Sequence, residues 1–334
     1  MKTIGELIEH PDEFQEWFTH TRAAMTVLHA LSSMRLLELW DAEPIALADL
    51  AAGADLPLVA MGRIVGFLAS QRILELQRDG RVAHTQRSRT LRDWSPALAS
   101  SRTIMQASFE LVEALRQGIT PFEARYGAPV FAYFDEHPNV ARVFGEHMSL
   151  TTAWAEDVII AQHSFRPFRL AVDIGGSHGT LLARLLAENP EAQGVLFDLP
   201  AVAEQAGARL DWIAEGGRID VVGGDFFQSV PSGGDLYLLK QILHDWNDDE
   251  CTAILRSVRM AIAPGGRLAV IDRLLPEENE PDPVFASDIM MMVWTTGQER
   301  KLSQFEQLFA ATGFALDRVT RNYHHESVIE AVPV

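Results

Sequence analysis

From residue 168 onward, short apolar runs alternate with longer helical stretches, and this alternation restricts the fold more than any other feature. The runs at 170–174, 194–198, 219–222, 236–239 and 267–271 read as strands. Between and after them, 181–188, 201–213, 250–262 and 288–295 read as helices. Short apolar strands separated by helices imply an α/β domain whose parallel sheet is covered on both faces. A further helix is expected over 303–311, ahead of Gly313, and the runs 315–320 and 327–332 read as a closing pair of strands.

Before residue 168 nearly everything reads as helix. Phe14, Trp17, Phe18, Met25, Leu28 and Leu36 recur at helical intervals and place an apolar stripe along one face. Two short helices are expected over 45–50 and 58–68. Leu74-Glu75-Leu76, Asp79-Gly80 and Val82-Ala83-His84-Thr85 then have the form of a hairpin with an Asp-Gly turn. Helix, helix, helix, hairpin is the order of a winged helix. The expected division is therefore a winged-helix-like region at 1–95, a helical connector at 96–166 and the α/β domain at 167–334.

Composition narrows the function. Lys and Arg number 28 against 46 Asp and Glu, a net charge of −18, which disfavours general nucleic-acid binding and anionic membrane surfaces. The single cysteine, Cys251, excludes an intrachain disulfide and a thiolate zinc cluster. No apolar run approaches the roughly 20 residues of a membrane helix. The N-terminus has no basic segment followed by an apolar core, so a cytoplasmic location is expected.

The segment Val172-Asp173-Ile174-Gly175-Gly176-Ser177-His178-Gly179-Thr180 follows a strand and opens a helix. Ser177 and Thr180 stand where a dinucleotide fingerprint needs its second and third glycines, so close pyrophosphate approach is not provided. A nucleoside with an uncharged or zwitterionic tail suits the loop better. Asp198, 23 residues past Gly175, stands where an acid binds ribose hydroxyls. Asp225 and Phe226 close the third strand, where a carboxylate meets an adenine amino group and a ring packs on the base.

The fourth strand runs into Lys240-Gln241-Ile242-Leu243-His244-Asp245-Trp246. This run resembles the His-Asp-Trp segment of S-adenosylmethionine-dependent O-methyltransferases of the plant caffeate and bacterial antibiotic type. The likeness extends from the winged-helix front to Gly297-Gln298-Glu299-Arg300. It implies a Rossmann-like class I methyltransferase domain behind a helical dimerisation region, and a homodimer. It implies S-adenosylmethionine as cofactor, S-adenosylhomocysteine as product and a small aromatic acceptor. Gly175, Gly176, Asp198, Leu199, Asp225, Phe226, Lys240 and Trp246 fall on the family's cofactor contacts. His244 falls on the general base, with Asp272 and Glu299 as the acids beside it. The family more often has Glu where this chain has Asp272, and a Gly followed by a small residue where it has Ser177-His178. The helix over 288–295 lines the acceptor pocket in the family, which marks Met291, Trp294 and Thr295, with Phe144 and Met148 beside them.

The chemistry asks for the same set. A neutral phenol needs a proton acceptor near pH 7, and a carboxylate on one imidazole nitrogen fixes the tautomer. No metal is required, and Asn247 with Glu250 reads as a capping box instead of part of a metal site. His178, His324 and His325 are expected at the surface and the Met290-Met291-Met292 run in the core. Glu299 has two structural alternatives: pairing with Arg300 or capping the next helix. Two other functions stay open: non-methylating chemistry or N-methylation on the same scaffold, and a DNA-binding regulator. The 58–67 segment, with one arginine among apolar and small residues, is a poor reading helix.

Overall fold

The computed structural model describes residues 2–210, 217–278, 280–321 and 326–334, with backbone only at 152–154 and 208–210. Two units form, Met1–Thr103 with Asn139–His147, and Ile104–Pro138 with Met148–Val334.

In the first unit the helix Pro11–Met34 starts on a proline, with Asp12 and Glu13 in its first turn. It stops where Arg35 turns left-handed (φ 50°). Leu36, expected on the same stripe, therefore lies in the tight turn Leu36–Glu38, where it is fully buried. The stripe itself is only half-buried at Phe14 and Trp17, and Phe18 is 43% exposed. Strands β1 (Ile45–Ala46), β2 (Leu74–Leu76) and β3 (Arg81–His84) form a small antiparallel sheet in the order β1-β3-β2. Gly80, at φ 81°, makes the expected hairpin turn. The expected helix over 45–50 is corrected: Ile45 and Ala46 pair with Val82 and Arg81, and the helix spans Leu47–Gly53. A hairpin edge has unpaired backbone groups, and the β-branched Ile45 answers them. Leu31, Leu50, Met61, Val65, Leu68 and Val82 make this unit's core.

The second unit is built on β4 (Leu170–Ile174), β5 (Gln193–Asp198), β6 (Ile219–Gly223), β7 (Leu236–Lys240) and β8 (Arg267–Asp272), all parallel. A short pair follows, β9 (Leu274–Leu275) with β10 (Arg300–Lys301). Strands β11 (Phe314–Thr320) and β12 (Ser327–Pro333) close the sheet antiparallel. The order is β11-β12-β8-β7-β4-β5-β6. Tyr237, Leu239 and Val270 pack into one core, Leu236, Leu238 and Ile271 into the other. That double burial is why these strands read as continuous apolar runs. The order reverses at β4, so the C-terminal ends of β4 and β7 flank the crevice where ligands of open α/β sheets bind.

The helix expected over 201–213 spans Pro200–Leu210, its remaining positions lying outside the described residues, as do His324 and His325. Met290 corrects the core reading of its run. On the helix Val284–Trp294 it is 37% exposed, because its neighbours Val293 and Trp294 take the buried face.

Candidate active site

Past β7 the chain enters a single tight turn, Leu243–Asp245, with His244 only 7% exposed. The turn is held from outside by residues 297–300. A Cβ on Gly297 would lie 2.0 Å from the His244 carbonyl oxygen and 2.5 Å from Trp246 N, so backbone rests on backbone there. Arg300, 1% exposed, donates to the carbonyls of Leu243 and Trp246, each at 2.7 Å. It also donates to Asp248 Oδ1 at 2.8 and 3.0 Å, and the β9–β10 pairing sets its register. Cys251 Sγ donates to Leu243 O as well. Burial pushes that thiol up to about 12, which removes it as a nucleophile.

With the turn fixed, His244 Nδ1 lies 3.3 Å from Glu299 Oε1. That contact places the proton on Nδ1 and leaves the Nε2 lone pair free to accept one. Asp245 Oδ1 is 3.8 Å from Nε2, beyond hydrogen-bond reach. Asp272 is fully buried, and neither of its carboxylate oxygens has a hydrogen-bond partner among the described residues. The structure thus brings Glu299 to the histidine and leaves Asp272 close enough to act only by charge. Arg300 goes to Asp248, and Lys301 N donates to Gln304 Oε1, so both structural alternatives for Glu299 are taken by other groups.

The charges follow from this enclosure. Burial opposes the imidazolium, but Asp245, the Glu299 hydrogen bond and Asp272 outweigh it and push His244 up to about 9. Burial lifts Asp272 to about 7 and Asp245 to about 6, against the pull of His244. Glu299 stays below the usual range. Burial opposes this, but bonds from His244 and Ser287 prevail.

At the neighbouring strand ends, Gly175 has φ 67°, and a Cβ there would lie 2.3 Å from Ile242 Cδ1. A Cβ on Gly176 would meet Asp173 Oδ2 at 2.5 Å. Both glycines are therefore required by the local packing. Asp198 Oδ2 accepts from Ser177 N at 2.8 Å and Oδ1 from Leu199 N at 2.7 Å. Asp225 Oδ1 accepts from Phe227 N and Oδ2 from the Gln228 side chain. Lys240 Nζ donates to Gln241 Oε1 and lies 4.0 Å from Glu326. His178, expected in solvent, is half-buried with Nδ1 2.6 Å from Ser149 Oγ, because the helix Pro138–Gln162 brings that hydroxyl to the loop.

Sequence reasoning missed Glu156, which is fully buried and takes the Thr180 hydroxyl at 2.7 Å. Its charge, Asp198 and above all burial lift Asp173 to about 7, with Lys240 opposing. An acid among the apolar residues Ala155, Val158 and Ile159 was the available signal. So many enclosed carboxylates favour a ligand that brings positive charge.

Trp246 stacks on Phe131 (5.3 Å, 23°) and meets Phe226 and Phe227 edge-on. Phe131, on the helix Val130–Glu136, carried no sequence signal. Trp294 is 6% exposed and stacks on Phe122 at 5.6 Å. Thr295 is buried, its hydroxyl donating to Met291 O and accepting from Gly297 N. Met291 and Met148 are half-buried in this unit, and Phe144 belongs to the other.

Comparison with known proteins agrees with this arrangement. Residues 109–315 match the family model of the O-methyltransferase domain. The chain is 35% identical to a phenazine O-methyltransferase of Lysobacter antibioticus over 315 residues, covering 92% of each chain. Among solved structures it is similar to a mitomycin 7-O-methyltransferase, with TM-score 0.89 and 26% identity over 97% of this chain and 98% of that one. It is also similar to an O-methyltransferase of neocarzinostatin biosynthesis, solved with S-adenosyl-L-homocysteine and 1,4-dihydroxy-2-naphthoic acid. That likeness has TM-score 0.81 and 25% identity over 93% of this chain and 96% of that one.

Gly297→Ala is expected to wedge the histidine turn and cost about 1–3 kcal/mol in urea denaturation, the usual price of overpacking. The His244 ring resonances should move with it. Gly66→Ala, at an exposed position of the helix Leu58–Ser70 where a Cβ meets nothing within 4 Å, is expected to leave the resonances unchanged and to stabilise by about 0.5–1 kcal/mol.

Proposed function

The chain belongs to the O-methyltransferase family, and from that membership we propose how its residues divide the work. The protein is an S-adenosylmethionine-dependent enzyme that methylates a hydroxyl of a small aromatic molecule of secondary metabolism. His244 takes the acceptor proton on Nε2, while Glu299 holds Nδ1–H and stabilises the imidazolium that forms. One observation carries this reading: a histidine buried just past β7 with a carboxylate on one nitrogen and, among the described residues, no hydrogen bond on the other. Asp272 and Asp245 contribute negative charge around the ring.

The acidic surround fits the cofactor, whose sulfonium and ammonium carry positive charge. We assign its adenosine to the ends of β4, β5 and β6. Gly175 and Gly176 give it backbone access, and Asp198 accepts from ribose hydroxyls beside Leu199. Asp225, Phe226 and Trp246 frame the adenine, and Lys240 sits between the cofactor acids and the histidine turn. When bound, the cofactor supplies an electrophilic methyl group. The protein's own task is to align the acceptor oxygen and remove its proton. A phenol with a pKa of about 10 is nearly all neutral at pH 7, so proton removal raises its nucleophilicity. Met148, Met291, Trp294 and Thr295 form the acceptor wall. Trp294 serves as a packed surface, since Phe122 covers one of its faces.

We further propose that 1–95 dimerises, 96–166 is a connector shaping the acceptor pocket and 167–334 binds the cofactor. Phe18, Leu58 and Val59 are exposed at 43%, 52% and 78%, apolar side chains available to a second copy of the chain. No single helix among the described residues is long and apolar enough to cross a membrane, and a cytoplasmic location is in keeping with that.

His244→Ala should lower kcat by about 10²–10⁴ while leaving S-adenosylhomocysteine affinity nearly intact. In the wild type a ring titrating near 9 must lose its proton to act, so kcat/KM should rise about tenfold per pH unit below that value. Mass spectrometry should find methylated acceptor and S-adenosylhomocysteine in equal amounts. S-adenosylhomocysteine absent from the products would favour non-methylating chemistry on this scaffold. Sedimentation should show a dimer burying above about 2,000 Å², and a monomer at micromolar concentration would overturn the assembly.

A further inference from the structure

Ser287 lies on the helix Val284–Trp294, outside every motif of the site, and its hydroxyl donates to Glu299 Oε1 at 2.6 Å. The same oxygen faces His244 Nδ1 at 3.3 Å. Arg273 Nη1 donates in turn to Ser287 Oγ at 2.5 Å, so a guanidinium stands behind the hydroxyl. One carboxylate oxygen serves two donors, and the serine holds the shorter bond. The other oxygen, Oε2, is buried without a hydrogen-bond partner among the described residues. Glu299 is kept in place by its own N–H, which donates to Asp288 Oδ1 at 2.9 Å on the same helix as Ser287.

The need for this arrangement follows from the charges around the ring. His244 is faced by Asp245 from its own turn, Asp272 from the end of β8 and Glu299 from the 297–300 segment. Arg300 and Cys251 bind the turn's backbone, and Asp288 holds Glu299 from the helix. The acids outnumber the ring, and each of them favours the imidazolium. A base that never gives up its proton cannot take one from an acceptor. A carboxylate already engaged by a hydroxyl donor and a nearby cation holds an imidazolium less tightly.

We propose that Ser287 and Arg273 are positioning residues for the general base. Ser287 takes a share of Glu299 Oε1 and Arg273 polarises that hydroxyl, and together they weaken the carboxylate's grip on protonated His244 and let the ring release its proton closer to neutral pH. The inference rests on His244 acting as the base. It assigns the tuning of that base to two side chains that reach the ring only through Glu299 among the described hydrogen bonds.

The test reads the ring directly. The His244 imidazole is titrated by NMR in the full-length protein without acceptor, its resonances assigned by their loss in His244→Gln, and kcat is followed against pH in parallel. Ser287→Ala introduces the strongest helix former at a half-buried helical position, so folding should be kept, with circular dichroism as the check. The His244 midpoint is expected to rise by about 0.5–1 unit, and the acid limb of kcat to move the same way. Ser287→Thr, which keeps the hydroxyl, should stay at the wild-type value. Arg273→Met should shift the midpoint upward, with little added in the double variant. A midpoint that stays or falls in Ser287→Ala overturns the inference, as does one that moves equally in Ser287→Thr. A midpoint that rises while the acid limb stays still supports the tuning and instead contradicts His244 as the base.

Discussion

The site depends on the contact between residues 297–300 and the turn 243–246. Each member of the Gly-x-Glu-Arg run has a physical task there. Gly297 lets the two backbones meet where any side chain would clash. Arg300 gathers the carbonyls of Leu243 and Trp246, giving each a charged donor beside the weak one from the Cys251 thiol. Glu299, between them, then has only one direction in which to meet the His244 ring. Removing the arginine would leave two buried carbonyls with only their weaker donors and loosen the histidine turn together, so stability and chemistry are joined at this contact.

The same enclosure sets the electrostatics. The sheet brings carboxylates to neighbouring strand ends: Asp173 near the end of β4, Asp198 at the end of β5, Asp245 after β7 and Asp272 at the end of β8. Burial makes each a reluctant anion, and their mutual repulsion makes the crevice a place where a cation is favoured. A cofactor that arrives with positive charge relieves that repulsion, and by the same argument it draws the His244 proton off more readily. In the proposed function, cofactor binding and activation of the base are thus two results of one charge distribution.

Much of this was legible in the residues. The five parallel strands stood out because both of their faces are buried, which turns each into an apolar run. The contact of His244 with Glu299 was legible through the resemblance, and the positions proposed for the adenosine were picked out by their strand ends. Ile45 was misread because its partner, Val82, lies on a hairpin that local periodicity cannot see. Asp272 was placed beside His244 with Glu299, as an aspartate where the family more often has Glu, and its shorter arm leaves its oxygens without a bond to the ring. Ser287, Phe131 and Glu156 were silent for a common reason. Each acts across the fold on a partner far away in sequence, and a serine, a phenylalanine or a glutamate within a helix carries no motif of its own.

The central claim is that His244, held by Glu299, removes the acceptor proton. Its most direct test is a series of phenolic acceptors of graded pKa, methylated by the wild type and by His244→Ala at one pH. The account predicts that the variant's deficit shrinks as the acceptor becomes more acidic and nearly vanishes for phenols already ionised at that pH, since these need no base. An equal deficit for ionised and neutral acceptors would contradict it and assign His244 to holding the acceptor instead of deprotonating it.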